Sequence, residues 1–402
     1  MTSAIIVGAG VAGPATAMAL QRVGISAEIF EGHARSDGEV GSYVTVAPNG
    51  LDALHAIGGL ALARRIGFPS RRSVLMSARG RTLATLSLGR PLPDGTVGLT
   101  MKRTRLALAL CAEAERRGIE VQYGRRLADA SPRPDGSVQA VFEDGTTATA
   151  DLLVGADGVH SVTRHIIDRQ APRGRYVGLT NFGGVTSAGL VEVEAAPEEW
   201  RFLFGRHAFF GYHLIGQRDV IWFVNAPRQQ ITPMERRGTS THQWQEWLAG
   251  LFVHDRGPAA ELITVGALEL VADNTYDLPR VPVWRRGPMV VVGDAAHAPS
   301  PSSGQGASMS LEDAVVLAGS LRRAPSVAAG LAAYEARRRT RVERIVRYGA
   351  RSSSTKTSGP MAAVVRDALL PLLLRAFGTD RSTRWMTGHR VDRGDVAAPT
   401  HR

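Results

Sequence analysis

Gly8-Ala9-Gly10-Val11-Ala12-Gly13 has the glycine spacing of a turn that presses a phosphate against backbone. It follows the apolar run Ala4–Val7, read as a buried strand, and precedes Pro14–Val23, read as a helix. In that setting the first glycine permits the tight turn. The second lets a pyrophosphate approach, and the third lets helix and strand pack closely. Glu31 closes the next strand-like run, Ser26–Phe30, and lies 31 − 8 = 23 residues after Gly8. A carboxylate there accepts hydrogen bonds from a ribose. The chemistry implied is dinucleotide binding, and this motif alone leaves the dinucleotide open.

Two further acids end buried-strand runs. Asp157 follows Leu152-Leu153-Val154-Gly155-Ala156, and Asp294 follows Met289-Val290-Val291-Val292-Gly293. In an open α/β sheet, residues at the carboxyl ends of strands face the ligand crevice. Beyond Asp294 come Pro299, Gly304, Gly306 and Ala307, and Gly306–Leu321 reads as a helix. Small residues at a helix start leave N–H groups open, and that end carries roughly half a positive charge.

The three motifs, in this order and spacing, resemble the class A flavoprotein monooxygenases, which share the para-hydroxybenzoate hydroxylase fold. The resemblance covers about residues 1–70, 95–165 and 280–345. It implies an α/β chain: a Rossmann-like FAD-binding domain interleaved with an antiparallel-sheet substrate domain, with a helical C-terminus. It implies FAD held by Gly8, Gly10, Val11, Ala12 and Gly13, with Glu31 at the adenosine ribose. Arg103 matches the arginine near the FAD phosphates, and Leu127 the position whose backbone meets adenine. Asp157-Gly158 would serve both FAD and the nicotinamide cofactor, Asp294 the ribityl–pyrophosphate region, and Gly304, Gly306 and Ala307 the flavin edge. Pro299 matches the proline whose carbonyl lies near the reacting oxygen. By the same resemblance, NADPH or NADH reduces the flavin. Dioxygen then adds to give a C4a-hydroperoxyflavin, which hydroxylates or epoxidises a small phenolic or polycyclic substrate of secondary metabolism. One departure is Gly32, where the family often has arginine; Arg35 is the candidate replacement. Arg164 matches the arginine ending the Asp-Gly motif, either as a ligand contact or as an ion pair with Asp157.

The substrate side is read from residue types. Short aromatic strands at Arg201–Phe204, Ala208–Ile215 and Asp219–Asn225 point to an antiparallel sheet. Candidate pocket residues are Tyr43, Phe204, Phe210 and Trp222. His213 and Tyr212 are candidate catalytic bases that would deprotonate a phenol, beside His207. Alternation puts Phe210 and Tyr212 on one face and Phe209 and His213 on the other, and leaves open which face lines the pocket.

Residues 1–70, 95–177 and 275–345 read as a discontinuous FAD-binding domain. Residues 71–94 and 178–274 read as the substrate domain, and 346–402 as a helical segment. Asn49–Leu62, Leu106–Arg117 and Val327–Tyr348 read as helices, and Ser352–Ser358 as a polar connection. Met361–Phe377 reads as an amphipathic helix rather than a membrane span, because Arg366, Asp367, Pro371 and Arg375 interrupt it. The chain of 402 residues has one cysteine, Cys111, which excludes an internal disulfide and a multi-cysteine metal site. With no signal-like start, the expectation is a cytoplasmic monomer or homodimer without metal. The net charge is +11, but the arginines are scattered and the lysines are only Lys102 and Lys356, so no nucleic-acid module is expected. Three alternatives remain: Baeyer–Villiger insertion by the same fold, a flavin halogenase and a non-catalytic flavoprotein. Against the halogenase stand the spacing Trp244-Gln245-Glu246-Trp247 and the scarcity of lysine.

Overall fold

The computed structural model describes residues 2–35, 38, 41–216, 219–354 and 379–396. The chain opens with β1 (Ser3–Val7), α1 (Ala12–Arg22) and β2 (Ser26–Glu31). Then come β3 (Tyr43–Val46), α2 (Pro48–Ala56), α3 (Leu60–Ile66), β4 (Phe68–Ser70), β5 (Arg72–Ser77) and β6 (Thr82–Ser87). β7 (Gly98–Lys102) leads into α4 (Arg103–Arg116), β8 (Val121–Tyr123), β9 (Leu127–Pro132), β10 (Val138–Phe142), β11 (Thr147–Ala150) and β12 (Leu152–Gly155). After α5 (Val162–Ile167) come β13 (Arg175–Ser187), β14 (Glu199–Phe204), β15 (Phe209–Ile215) and β16 (Asp219–Pro227). α6 (Pro233–Gly238), α7 (Thr241–Gly250), α8 (Ala259–Val265) and β17 (Ala267–Asp277) follow. The chain returns through β18 (Arg285–Arg286), β19 (Met289–Val291) and α9 (Asp294–His297) to α10 (Gly306–Arg323), α11 (Val327–Ser354) and α12 (Thr379–Thr387).

A six-stranded sheet, ordered β18-β19-β12-β1-β2-β8, is parallel except at the β18 edge. β1 and β12 are buried on both faces, because α1 packs on one side of the sheet and the three-stranded antiparallel sheet β11-β10-β9 on the other, where Phe142 stacks on Phe30. α1 is rich in alanine and is buried from Ala12 to Leu20, which lets it lie close between the sheet and α10. The expected helix Asn49–Leu62 is two helices. Ile57-Gly58-Gly59 breaks it, with Gly58 at φ 78°. Ser352–Ser354 continue α11 rather than starting a connection; 355–358 and Met361–Phe377 lie outside the described residues.

The second large sheet is ordered β17-β13-β16-β15-β14-β5-β6. It is antiparallel except at β14–β5, which are parallel. β5 and β6 form a hairpin far upstream of the other strands, so no tight turn dictates its direction against β14. One face carries α7 and α8, whose Trp244, Leu248 and Leu262 share a core with Phe210, Tyr212 and Trp222 of the sheet. A small sheet, β3-β7-β4, went unread in the sequence and delivers Tyr43 and Lys102 side by side.

Candidate active site

The three motif glycines do separable jobs. A Cβ on Gly8, at φ 105°, would stand 2.6 Å from the Ala156 carbonyl oxygen, and one on Gly13 would stand 1.9 Å from that of Gly8. A Cβ on Gly10 would meet nothing within 4 Å, because Gly10 faces a cavity. Gly13→Val should therefore fail to fold or melt far lower. Gly10→Val should keep the melting temperature of wild-type apoprotein and lose bound flavin, read from thermal denaturation of the two apoproteins and the flavin-to-protein absorbance ratio. Equal melting losses in the two variants would contradict this division.

Glu31 supports the turn: Oε2 accepts the Ala9 N–H at 2.8 Å, and Oε1 accepts the His33 N–H at 2.9 Å. Arg35 pairs with Glu115 and packs on Tyr123. The guanidinium beside Gly32 belongs to Arg126, which donates to the Gly32 carbonyl at 3.4 Å.

The cavity measures about 1630 Å³ and runs from the glycine turn to the seven-stranded sheet. Gly10, Val11, Ala12, Arg103, Ala156, Gly158, Asp294, Pro299, Gly304, Gly306 and Ala307 line one part of it. Gly293, at φ 58°, turns the chain so that the Asp294 carboxyl opens into this cavity. Protein surrounds the cavity there, so burial raises the Asp294 carboxyl above its ordinary value, against the opposing charges of His297 and Arg103. Gly304 is left-handed, and the 18-residue α10 begins two residues later with Gly306 and Ala307 facing the cavity.

Asp157 and Leu127 are not among the residues that line the cavity. The Asp157 carboxylate is turned onto the start of α5, where it accepts from Ser161 Oγ and from Thr163 N and Oγ1 at 2.9 and 3.0 Å. It caps that helix, and its neighbours Ala156 and Gly158 form the cavity wall. Leu127 has its side chain in the hydrophobic core. Arg164 is fully buried and takes neither expected role; it donates to the carbonyls of Pro172, Ala295 and Val159.

On the substrate side, the face carrying Trp200, Phe202, Phe204, Phe209 and Phe223 lines the cavity, together with Tyr43, Leu75 and Leu86. Phe210 and Tyr212 project from the opposite face into the core under α7 and α8. Trp222 touches the cavity wall, yet its ring stacks on Phe210 and its indole N–H donates to Thr186 Oγ1 at 2.9 Å. His207 is not part of the lining. The sequence reading thus left the Phe209 face open and missed Trp200 and Phe202, although period-two alternation from Phe204 along β14 marks both.

His213 shares the cavity-side face by alternation but is buried beneath Trp200 and Phe68, outside the lining. Its Nδ1–H donates to the Leu214 carbonyl at 2.8 Å, so Nε2 accepts from Ser70 Oγ at 3.1 Å. Both ring nitrogens are committed, which removes His213 as a base. Burial also holds its pKa below the ordinary 6.5. The unfolded chain then binds a proton that the fold resists, so this contribution is full above pH 6.5 and is lost as pH falls below it. His213→Gln should lose less stability than wild type on acidification, compared by denaturant unfolding on both sides of that value.

Asp273 is a further carboxyl on the cavity wall. It follows Ala272, a non-glycine residue at φ 53° whose carbonyl is held by Arg236. Burial raises its pKa, and Arg103 and Arg236 oppose the shift. Lys102 ends β7, a strand the sequence reading did not assign to it, and donates to Glu269 Oε1 at 3.0 Å.

A turn open only at Gly10, a long helix start of small residues and an acid aimed between them fit a flavin dinucleotide. The remaining aromatic volume leaves room for a second, small molecule. Fold and site together define a flavoprotein oxidoreductase. Residues 1–348 match the family described as "FAD binding domain". The FAD-dependent urate hydroxylase of Klebsiella pneumoniae is 30% identical over 353 residues, 85% of this chain and 87% of that one. The 3-amino-4-hydroxybenzoate 2-monooxygenase of Streptomyces cremeus is 32% identical over 325 residues, 80% and 78% of the two chains. The crystal structure of Klebsiella pneumoniae HpxO complexed with FAD and uric acid superposes with a TM-score of 0.80 at 25% identity, covering 99% of this chain and 97% of that one. The chain belongs to the class A FAD-dependent monooxygenases, which carry the para-hydroxybenzoate hydroxylase fold. It is an FAD-dependent enzyme, and none of its described helices is long and apolar enough to cross a membrane.

Proposed function

We propose that this enzyme hydroxylates or epoxidises a planar phenolic or polycyclic substrate of secondary metabolism, with NADPH or NADH as reductant. The observation that carries the reading is one cavity with two chemistries. Pro299 and the start of α10 form one wall, and five aromatic side chains of the substrate sheet form another. Bound FAD supplies the electron transfer and oxygen activation. The protein positions and shields. Gly10 and the α10 N-terminus receive anionic groups, and the α10 dipole favours negative charge at the flavin edge. The face formed by Trp200, Phe202 and Phe223 offers a flat ring offset or edge-on stacking and excludes water from the reacting carbon. The relatives that act on urate and on 3-amino-4-hydroxybenzoate, by their names, take small ring compounds, which supports a planar substrate here.

The test is NADH and NADPH oxidation by flavin-loaded enzyme across a panel of phenols and aromatic polyketides, with products analysed by mass. At least one compound should stimulate oxidation and gain one oxygen. Phe202→Ala should then raise KM for that compound about tenfold or more, as loss of a buried aromatic contact implies. A panel in which no compound stimulates reductant consumption or is oxygenated would defeat the reading.

A further inference from the structure

We propose that the Lys102–Glu269 pair is the polar anchor of the substrate site and selects aromatic substrates that carry an O–H or N–H donor. The inference rests on the reading of the cavity as an aromatic substrate site. Glu269 lies on β17 and lines the cavity beside Leu270; the lining also holds the rings of Tyr43, Trp200, Phe202 and Phe223 and, further along β17, Asp273 and Asn274. Lys102 stands behind it, only 8% exposed, with its ammonium 3.0 Å from Glu269 Oε1 and 6.0 Å from the centre of the Tyr43 ring.

The carboxylate is only half used. Oε1 accepts from Lys102, whereas Oε2 is shielded from water and has no hydrogen-bond partner. Withholding a partner from a buried carboxylate oxygen is costly, and native proteins rarely leave such an atom unsatisfied without a use for it. Stability gives no reason to keep the arrangement, because a buried ion pair is often matched or bettered by apolar side chains of similar volume. The Glu269 side chain is 27% exposed into the cavity. A small turn of the Glu269 carboxyl brings Oε2 to the cavity, where a ligand's donor would complete its bonding while Lys102 holds the other oxygen. A ring whose hydroxyl is methylated presents no donor and leaves Oε2 unsatisfied. Failure to match a buried polar group is the strongest route to discrimination between near-isosteric ligands.

The test uses flavin-loaded protein and two probes, 2-naphthol and 2-methoxynaphthalene, with dissociation constants read from the perturbation of flavin absorbance. Wild type should bind the naphthol about tenfold more tightly, equivalent to about 1.4 kcal/mol. The double variant Lys102→Met/Glu269→Leu removes both charges together, so no lone ion is left buried, and it should bind the two probes within about twofold of each other. Glu269→Gln keeps the volume, leaves an amide oxygen on Lys102 and turns the second position from acceptor to donor. It should lose the naphthol preference as well, which keeps the test decisive should the double variant fold poorly. No preference in wild type, no binding of the naphthol, or a tenfold preference that survives in a folded variant would overturn the proposal. Binding is read without turnover, so an enzyme that binds with this preference but oxygenates nothing would sink the proposed reaction and leave the anchor standing.

Discussion

Asp294→Ala is expected to give a folded protein that purifies with less than about a tenth of the wild-type flavin, the order of loss expected when one charged contact worth 1.5–3 kcal/mol is removed from a cofactor site. The carboxyl is open to the cavity, and Gly293 turns the chain at φ 58° to put it there. Its cost in the empty fold is visible as a pKa raised by burial, with only the charges of His297 and Arg103 to oppose it. A carboxyl exposed to the cavity whose charge burial disfavours contributes little to folding. The melting temperature of the apoprotein should therefore equal or exceed that of wild-type apoprotein. Full flavin occupancy in the variant would remove Asp294 from the cofactor site.

Arg338→Met is expected to cost about 3–5 kcal/mol of stability, the usual penalty for deleting one partner of a buried charge cluster. Arg338 is 1% exposed and donates from Nε to Asp313 Oδ1 and from Nη1 to Glu312 Oε2, both at 2.6 Å. Burial alone would raise the Glu312 carboxyl; Arg338 and Arg341 outweigh it and hold it down to about 2. A carboxyl depressed from 4.5 to about 2 contributes stability that is full above pH 4.5 and disappears as pH falls toward 2. The cluster also reaches the cofactor turn, because Asp313 Oδ2 accepts the Gly293 N–H at 2.8 Å and pairs with His297. The variant should thus unfold at lower urea concentration and, where still folded, hold flavin more weakly. A loss below about 1 kcal/mol would show that the cluster is not the support described.

The cofactor half of the site was legible because its elements are local. Strand, glycine turn, helix and Glu31 lie within the first 31 residues, and each glycine's role follows from that order. The hydrogen bonds of Asp157 are local too. Ser161 and Thr163 follow it four and six residues later at the start of α5, where Ser161 is the N-cap. The substrate half was not legible for a different reason. Both faces of β15 are aromatic, and the packing of α7 and α8, roughly thirty residues downstream, decides that Phe210 and Tyr212 are core and Phe209 is wall. Lys102 and Glu269 lie 167 residues apart, on strands of two different sheets, and no spacing in the chain announces their contact. Periodicity names two faces; only the tertiary fold says which one is wet.

Isotopically labelled dioxygen tests the central claim most directly. Flavin-loaded enzyme, NADPH or NADH and the panel compound that best stimulates reductant oxidation are allowed to react under the labelled gas, and the product mass is measured. A monooxygenase incorporates one labelled atom per product molecule and consumes one reductant. A product whose new oxygen comes from water, or labelled hydrogen peroxide with the substrate unchanged for every compound tried, would contradict the account.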